Sequence, residues 1–165
     1  MAKLFLETTD ATYKVSTANT KVYGATGDQV VTVDAAATGV TFDSNVEGVS
    51  FSGATGDFTY KQIGLTDLGV YKGTDLVATV AIQDDATTEA NGSLLSFSDG
   101  TVSAKFATTG SVVGLTLGDS AVSATSATTV TPTTFVSTTG NGSTSTPVTG
   151  STFTLTTGLN TLAFC

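Results

Sequence analysis

The residue types that build most active sites and nucleic-acid interfaces are scarce or missing in this sequence. It contains no histidine and no arginine, and its one cysteine is Cys165. These absences exclude zinc sites and the Ser–His–Asp and Cys–His arrangements of nucleophilic catalysis. A disulfide within the chain is excluded as well, so Cys165 either pairs between chains or is inert. We therefore predict that the protein is not an enzyme.

Positive charge and long apolar runs are also in short supply. Six lysines stand against fourteen acidic residues, which gives a net charge of −8. Nucleic-acid phosphates need clustered lysine or arginine, so a nucleic-acid partner is not expected. No stretch approaches the roughly 20 apolar residues of a membrane-spanning helix. The first ten residues lack the apolar segment of a secretory signal, so we expect neither a membrane span nor a cleaved N-terminal signal.

What the sequence does have is a nine-residue repeat between positions 30 and 60. Two apolar residues at i and i+2 lie on the same face of a strand, and the small polar residues between such pairs suit turns. The first apolar series is Val31, Val40, Val49 and Phe58, and the second is Val33, Phe42, Phe51 and Tyr60.

This repeat predicts an all-β protein whose short strands stack as the rungs of a β-roll or β-solenoid over about residues 22–63. In a two-sided roll alternate strands stack, so we expect Val31 over Val49 and Val40 over Phe58. An N-terminal strand, which begins at Lys3, is expected to cap the first open rung, because an exposed edge recruits other chains.

From about Leu65 onward, hairpin signals replace the repeat. Apolar strands flank residues 72–75, the Asp99-Gly100 dipeptide and residues 118–120, which predicts an antiparallel β meander. We expect residues 1–130 to form one β-roll or β-sandwich-like domain. Residues 131–151 hold both prolines among threonine, serine and glycine, the composition of a linker. Residues 152–165 alternate again and predict an extended C-terminal strand, which either folds back or is exchanged between subunits.

The pentapeptide GATGD occurs twice, as Gly24–Asp28 and Gly53–Asp57, each time just before a strand. Its glycines suit a tight corner with positive φ. The carboxylates of Asp28 and Asp57 either accept backbone N–H groups at that corner or bind a cation. Calcium is the cofactor compatible with these acids, and no other cofactor is expected.

The nonapeptide rung, the run from Gly92 to Ser123 and the segment Phe153–Gly158 resemble the secreted RTX (haemolysin-type) bacterial surface proteins. The resemblance implies β-roll modules of the surface-layer or filament-forming type. It also implies export by type I secretion through an uncleaved C-terminal signal, and therefore an extracellular or cell-surface location. The tandem calcium repeat of that family is missing, and only Asp28 and Asp57 match its acidic position.

Stacked rungs, open edges and a tethered strand indicate a structural protein that assembles with itself into a filament, sheath or surface layer. Assembly would use β-edge pairing and strand exchange, with glycan as a further compatible partner. The alternatives are an adhesin or ice-binding β-solenoid module and, less favoured, a secreted glycan-active enzyme. The predicted assembly residues are Leu4, Phe5, Leu6, Phe153, Leu155, Leu159, Leu162 and Phe164.

Overall fold

The computed structural model describes residues 1–10, 12–83, 92–109 and 112–132. Within these ranges it contains strands and one short 3-10 helix, Thr55–Asp57, but no α-helix. The all-β prediction is therefore confirmed. The strands are β1 (Ala2–Phe5), β2 (Thr12–Val15), β3 (Thr20–Tyr23), β4 (Val30–Val33), β5 (Val40–Phe42), β6 (Gly48–Phe51), β7 (Thr59–Ile63), β8 (Asp67–Lys72), β9 (Asp75–Ala81), β10 (Ser93–Phe97), β11 (Gly100–Thr109), β12 (Val112–Leu117) and β13 (Ser120–Ala121).

These strands form two mixed sheets. The six-stranded sheet has the order β1-β3-β5-β9-β8-β7, and the seven-stranded sheet has the order β13-β12-β11-β10-β6-β4-β2. From β1 to β6 the chain enters the two sheets in turn, and each strand pairs in parallel with the strand two before it. Strands β9 and β10 continue this parallel order beside β5 and β6.

The nine-residue repeat correctly predicts part of this register. Val31 of β4 is the direct partner of Val49 of β6, as expected. Both apolar series are buried, each residue at most 4% exposed. A third series, which was not predicted, follows the second series by four residues in the sequence and is buried at the corners. Its members, Ala37, Val46 and Thr55, are at most 1% exposed.

The fourth repeat departs from the parallel stack. Strand β7 pairs antiparallel with β8, so the expectation that parallel rungs run through residue 63 is wrong. The partner of Val40 is Ala78 of β9 and not Phe58. Phe58 still lies in the core, where its ring centre is 5.6 Å from that of Phe51 and 5.7 Å from that of Phe97. The repeat thus fixes which side chains are buried but not which strand provides the hydrogen bonds.

The predicted hairpins are found. Strands β8 and β9 are antiparallel around residues 73–74, and β10 and β11 are antiparallel around Ser98 and Asp99. The antiparallel order continues through β12 to β13. The meander therefore completes one end of each sheet, and the parallel strands form the other.

The N-terminal strands join the parallel stack and do not cap it. Strand β1 pairs in parallel with β3, and β2 pairs in parallel with β4. Parallel pairing therefore begins with the first strand of the chain, at Ala2, and not near residue 22. Of the predicted linker, residues 131–151, only Thr131 and Pro132 are described, and the predicted strand 152–165 lies outside the described residues.

Candidate functional site

The free edge of β1 is the first candidate for a functional site. Among the described residues β1 is the outermost strand of its sheet and pairs with β3. The N–H of Leu6 donates to the carbonyl of Tyr23 at 2.9 Å. In a parallel strand, backbone groups of successive residues point to alternate sides, so those of Lys3 and Phe5 point away from β3. Each of these two residues offers a donor and an acceptor to an added strand.

Strand β2 presents a second free edge at the same end of the molecule. It is the outermost strand of the seven-stranded sheet in the described part of the chain. The carbonyl of Val15 accepts the N–H of Asp34 at 2.9 Å, so the backbone groups of Thr12 and Lys14 point outward. Lys14 Nζ lies 2.7 Å from Asp34 Oδ2. The hydrogen bond from Lys14 lowers the pKa of Asp34, and the N–H of Ala36 adds to the effect.

An exposed aromatic stack lies beside the β1 edge. The Phe5 side chain is 66% exposed, and its ring stacks on Tyr23 with centroids 4.8 Å apart and an interplanar angle of 7°. Lys21 Nζ lies 5.0 Å from the centre of the Tyr23 ring. Of the predicted N-terminal assembly residues, Leu6 is buried in the core and Leu4 packs against it. Phe5 is therefore the only one of the three with a largely exposed side chain.

At the opposite end of the six-stranded sheet the edge of β7 is covered by the chain itself. After β13 the chain crosses from the seven-stranded sheet to the outer edge of β7. There Tyr60 and Thr128 exchange two backbone hydrogen bonds of 3.0 and 2.9 Å, and Gln62 N–H donates to Ser123 O at 3.1 Å. Val122 on the crossing segment is buried in the core. The edge of β7 is thus occupied, whereas β1 and β2 lack such a covering strand in the described structure.

The two GATGD copies are built differently. In the second copy Asp57 Oδ2 accepts the N–H of Ala54 at 3.1 Å, which is the corner role expected for that aspartate. At the equivalent place in the first copy, Ala25 N–H donates to Gln29 Oε1 at 2.8 Å. Gln29 is 1% exposed, whereas Asp28 is exposed. The aspartates of the two copies therefore do not play equivalent roles.

Other acidic residues, for which no corner role was predicted, hold the corners together. Asp34 and Asp43 each follow an apolar strand, and each accepts the N–H two residues later, from Ala36 at 3.1 Å and Asn45 at 3.2 Å. Asp43 Oδ1 also accepts the N–H of Gly24 at 2.9 Å, which joins neighbouring corners. The sequence contained a sign of this shared role, because Asp34 and Asp43 are nine residues apart, as in the apolar repeat.

Asp99 plays the same part at a corner that is distant in sequence. Its Oδ1 accepts both the N–H and the hydroxyl of Thr55, each at 2.8 Å. The carbonyl of Thr55 accepts the hydroxyl of Tyr60 at 3.3 Å. Burial raises the pKa of Tyr60 above 10, and the charge of Asp99 adds to this effect. This network connects the second GATGD copy to the β10–β11 turn.

The described residues contain no group of three or more His, Cys, Asp or Glu side chains that could hold a metal ion. The predicted calcium role of Asp28 and Asp57 therefore gains no support and stays a prediction. The predicted assembly residues Phe153, Leu155, Leu159, Leu162 and Phe164 lie outside the described residues.

No protein-family model, no curated protein and no solved structure matches this chain. The resemblance to RTX proteins, with the location and export route it implies, consequently stays a prediction. Within the described ranges there is no helix of the length and apolar character needed to cross a membrane.

Proposed function

We propose that this protein is an extracellular structural protein that assembles with copies of itself by β-strand addition. In this proposal residues 152–165 of one copy add to the free edge of β1 in the next copy. We further propose that β1 to β6, together with β9 and β10, act as the rungs of a short β-roll. Alternate entry into two sheets, parallel pairing and the Val31–Val49 register support this second part.

The observation that carries the proposal is that the chain near Thr128 covers the β7 edge of the six-stranded sheet, whereas the β1 edge is free in the described structure. Pro132, the last described residue, follows soon after Thr128, so residues 152–165 are connected to the molecule on its β7 side. Strand β1 lies at the other edge of the same six-stranded sheet, five strand spacings or about 24 Å from β7. A contact between opposite ends of two copies is heterologous, and unless it closes into a ring it repeats without limit.

The chemistry of the two partners favours pairing of unlike strands. Strand β1 carries Lys3 and β2 carries Lys14, and a lysine on an edge strand opposes the pairing of two identical edges. No charged side chain follows Asp119 in the sequence, so residues 152–165 bring no charged side chain of either sign. A neutral, alternating strand can therefore cover the β1 edge without facing a second lysine.

Pairing within one chain competes with this exchange. The segment 133–151 spans at most about 65 Å when extended, which is enough to return residues 152–165 to their own β1. Because the tethered strand is then at a high effective concentration, assembly is expected to increase steeply with protein concentration. A strand that pairs only within its own chain would leave the protein monomeric.

The central experiment blocks the β1 edge without disturbing β3. Lys3→Pro removes an N–H that points away from the sheet, whereas Lys3→Ala, the matched control, removes only the side chain. By sedimentation velocity and electron microscopy, we expect the intact chain and Lys3→Ala to form fibres at high concentration. Lys3→Pro and a chain lacking residues 152–165 should stay monomeric.

Two results would contradict the proposal. An intact chain that stays monomeric at every concentration would show that the free edge does not recruit copies. Fibres formed equally well by the Lys3→Pro variant and by the truncated chain would show that assembly uses another surface. As a further check, a synthetic peptide of residues 152–165 should slow fibre growth, and a peptide of the same composition in scrambled order should not.

A further inference from the structure

A row of six residues, one from each strand, crosses the outer face of the six-stranded sheet. We call it the lysine row. The strand register places its members side by side, and buried or partly buried residues lie next to each of them in the sequence, so the row faces away from the core. In strand order it consists of Lys3, Lys21, Thr41, Thr79, Gly69 and Lys61.

The lysine row concentrates positive charge in a negatively charged protein. Three of the six lysines of the chain lie in it, and it contains no acidic residue. Lys3 and Lys21 are direct register partners, although like charges on neighbouring strands are destabilising. Among the described residues the only ion pair within 4.0 Å joins Lys14 to Asp34, on the other sheet. The lysines of the row therefore have no ion-pair partner within 4.0 Å in the described part of the chain.

Tyrosine rings flank the row at both ends. Lys21 lies beside Tyr23, on which Phe5 stacks, and Lys61 Nζ lies 5.7 Å from the centre of the Tyr71 ring. Gly69 is itself buried, because the side chains of Ile63 and Tyr71 cover it, and a Cβ at that position would lie 2.7 Å from Ile63 Cδ1 and 2.8 Å from Tyr71 Cε2. Close packing thus explains the glycine at this position, which allows the Tyr71 ring to lie next to the row.

We propose that the lysine row binds an acidic polysaccharide that lies across the strands. The lysines are placed for carboxylate groups, and the hydroxyls of Thr41 and Thr79 between them suit the hydroxyl groups of sugars. Aromatic faces carry partial negative charge and attract the polarised C–H groups of a sugar ring. The row is about 24 Å long, so it accommodates several sugar units of an extended chain.

A nucleic acid fits this face less well. Double-stranded DNA carries one charge per about 1.7 Å of axis, and binding it requires dense cation contacts that a chain with a net charge of −8 and no arginine does not supply. An acidic peptide also offers carboxylates, but it lacks the sugar-ring C–H faces that would pack on the flanking aromatic rings. Both polymers therefore serve as competing probes in the test.

The experiment measures binding of the full chain to polygalacturonate by isothermal titration calorimetry at low salt. One variant replaces Lys3, Lys21 and Lys61 with glutamine. A matched control replaces the other three lysines, Lys14, Lys72 and Lys105, with glutamine. Both variants change the net charge by the same amount, from −8 to −11, so a difference in binding reports the position of the lysines and not the net charge. Circular dichroism confirms that both remain folded.

We expect the intact chain and the control to bind polygalacturonate, and the row variant to bind about tenfold more weakly or not at all, since three ion pairs are lost together. Binding should weaken as salt is added, and neutral dextran should not bind. Equal weakening in both variants would overturn the role of the row. Equal binding of polyglutamate or DNA would overturn the assignment to a saccharide, and no binding by the intact chain would overturn the whole proposal.

This proposal does not rest on self-assembly. The glutamine variants retain every backbone group of the β1 edge, and binding is scored per subunit at concentrations where sedimentation shows monomers. A chain that binds the polysaccharide but never forms fibres contradicts only the proposed function, and a chain that forms fibres but ignores the polysaccharide contradicts only the lysine row.

Discussion

Replacing Gly24 with alanine tests whether neighbouring corners are packed as closely as the structure indicates. A Cβ at Gly24 would lie 2.5 Å from the carbonyl carbon of Asn45, closer still to its oxygen, and 2.9 Å from the N atom of Val46. Carbon atoms in good contact are about 3.5–4.0 Å apart, so one corner must move by about 1 Å. The obstacle is backbone and not a flexible side chain, so the strain cannot be relieved by a change of rotamer.

The movement has a second consequence. It pulls Gly24 N–H away from Asp43 Oδ1, which accepts it at 2.9 Å. Overpacking costs about 1–3 kcal/mol, and a hydrogen bond to a charged group contributes about 1.5–3 kcal/mol. Because the two effects overlap, we expect the free energy of unfolding to fall by about 3 kcal/mol. For a chain of this size that lowers the Tm by about 6–12 °C.

Gly56 in the second GATGD copy provides the matched control. A Cβ there would meet no atom within 4 Å, and Gly56 is not among the glycines with positive φ. Gly56→Ala should therefore change the free energy of unfolding by less than about 1 kcal/mol, and in the stabilising direction. Both variants can be compared by urea denaturation followed by circular dichroism. A Gly24→Ala protein as stable as Gly56→Ala would refute the close packing of the corners.

Two further predictions concern the network around Thr55. Asp99→Ala leaves the buried N–H and hydroxyl of Thr55 without their acceptor, so the free energy of unfolding measured in urea should fall by about 2–3 kcal/mol. As a control, Asp119→Ala at an exposed turn should lower it by less than about 0.5 kcal/mol. Burial raises the pKa of Tyr60 above its ordinary value of 10.0, so the contribution of Tyr60 to stability is complete below that pH and is lost as the pH rises above it. Denaturation at about pH 9 and about pH 11 should show this loss in the intact protein and a smaller loss in Tyr60→Phe; equal losses would contradict the buried phenol.

The nine-residue repeat made the buried side chains and one register pair predictable. Within a strand the spacing of two keeps Val31 and Val33 on one face, and the constant nine-residue interval delivers each strand to the next position. Val31 and Val49 are separated by two such intervals, so their pairing across β4 and β6 follows from the spacing alone. The same interval relates Asp34 to Asp43, whose corner role went unnoticed.

The pairing of β7 was not predictable from the same pattern. Phe58 and Tyr60 keep the repeat spacing and are 3% and 0% exposed, so their burial is identical to that of a parallel strand. The two arrangements differ in which strand pairs with β7. Gly64, with a φ of 64°, allows the chain to turn directly after β7, and a hairpin partner close in sequence then provides the hydrogen bonds. Hydrophobic periodicity does not distinguish these two arrangements.

The lysine row was hidden from the sequence for a different reason. The alternation of Lys21, Val22 and Tyr23 around a buried valine shows that Lys21 and Tyr23 face outward. Nothing in the sequence, however, places Lys61 in the same row, because β7 and β8 enter the sheet out of chain order. Only the strand order shows that these lysines share one face.

Self-assembly would strengthen polysaccharide binding, because it increases the number of lysine rows that one polymer can contact. A single lysine row offers three ammonium groups to a polymer that carries many carboxylates, and exposed ion pairs contribute little individually. If copies join end to end through β1, each subunit adds another row. A second row that engages the same polysaccharide then binds at the effective concentration set by the first, which can raise avidity by about 10² to 10⁴ without any new contact. An assembled protein should therefore hold an acidic polysaccharide tightly even though each subunit binds it weakly. Fibres of the intact chain should bind polygalacturonate more tightly than the Lys3→Pro monomer does, and the difference should be far larger than the loss of one lysine can explain.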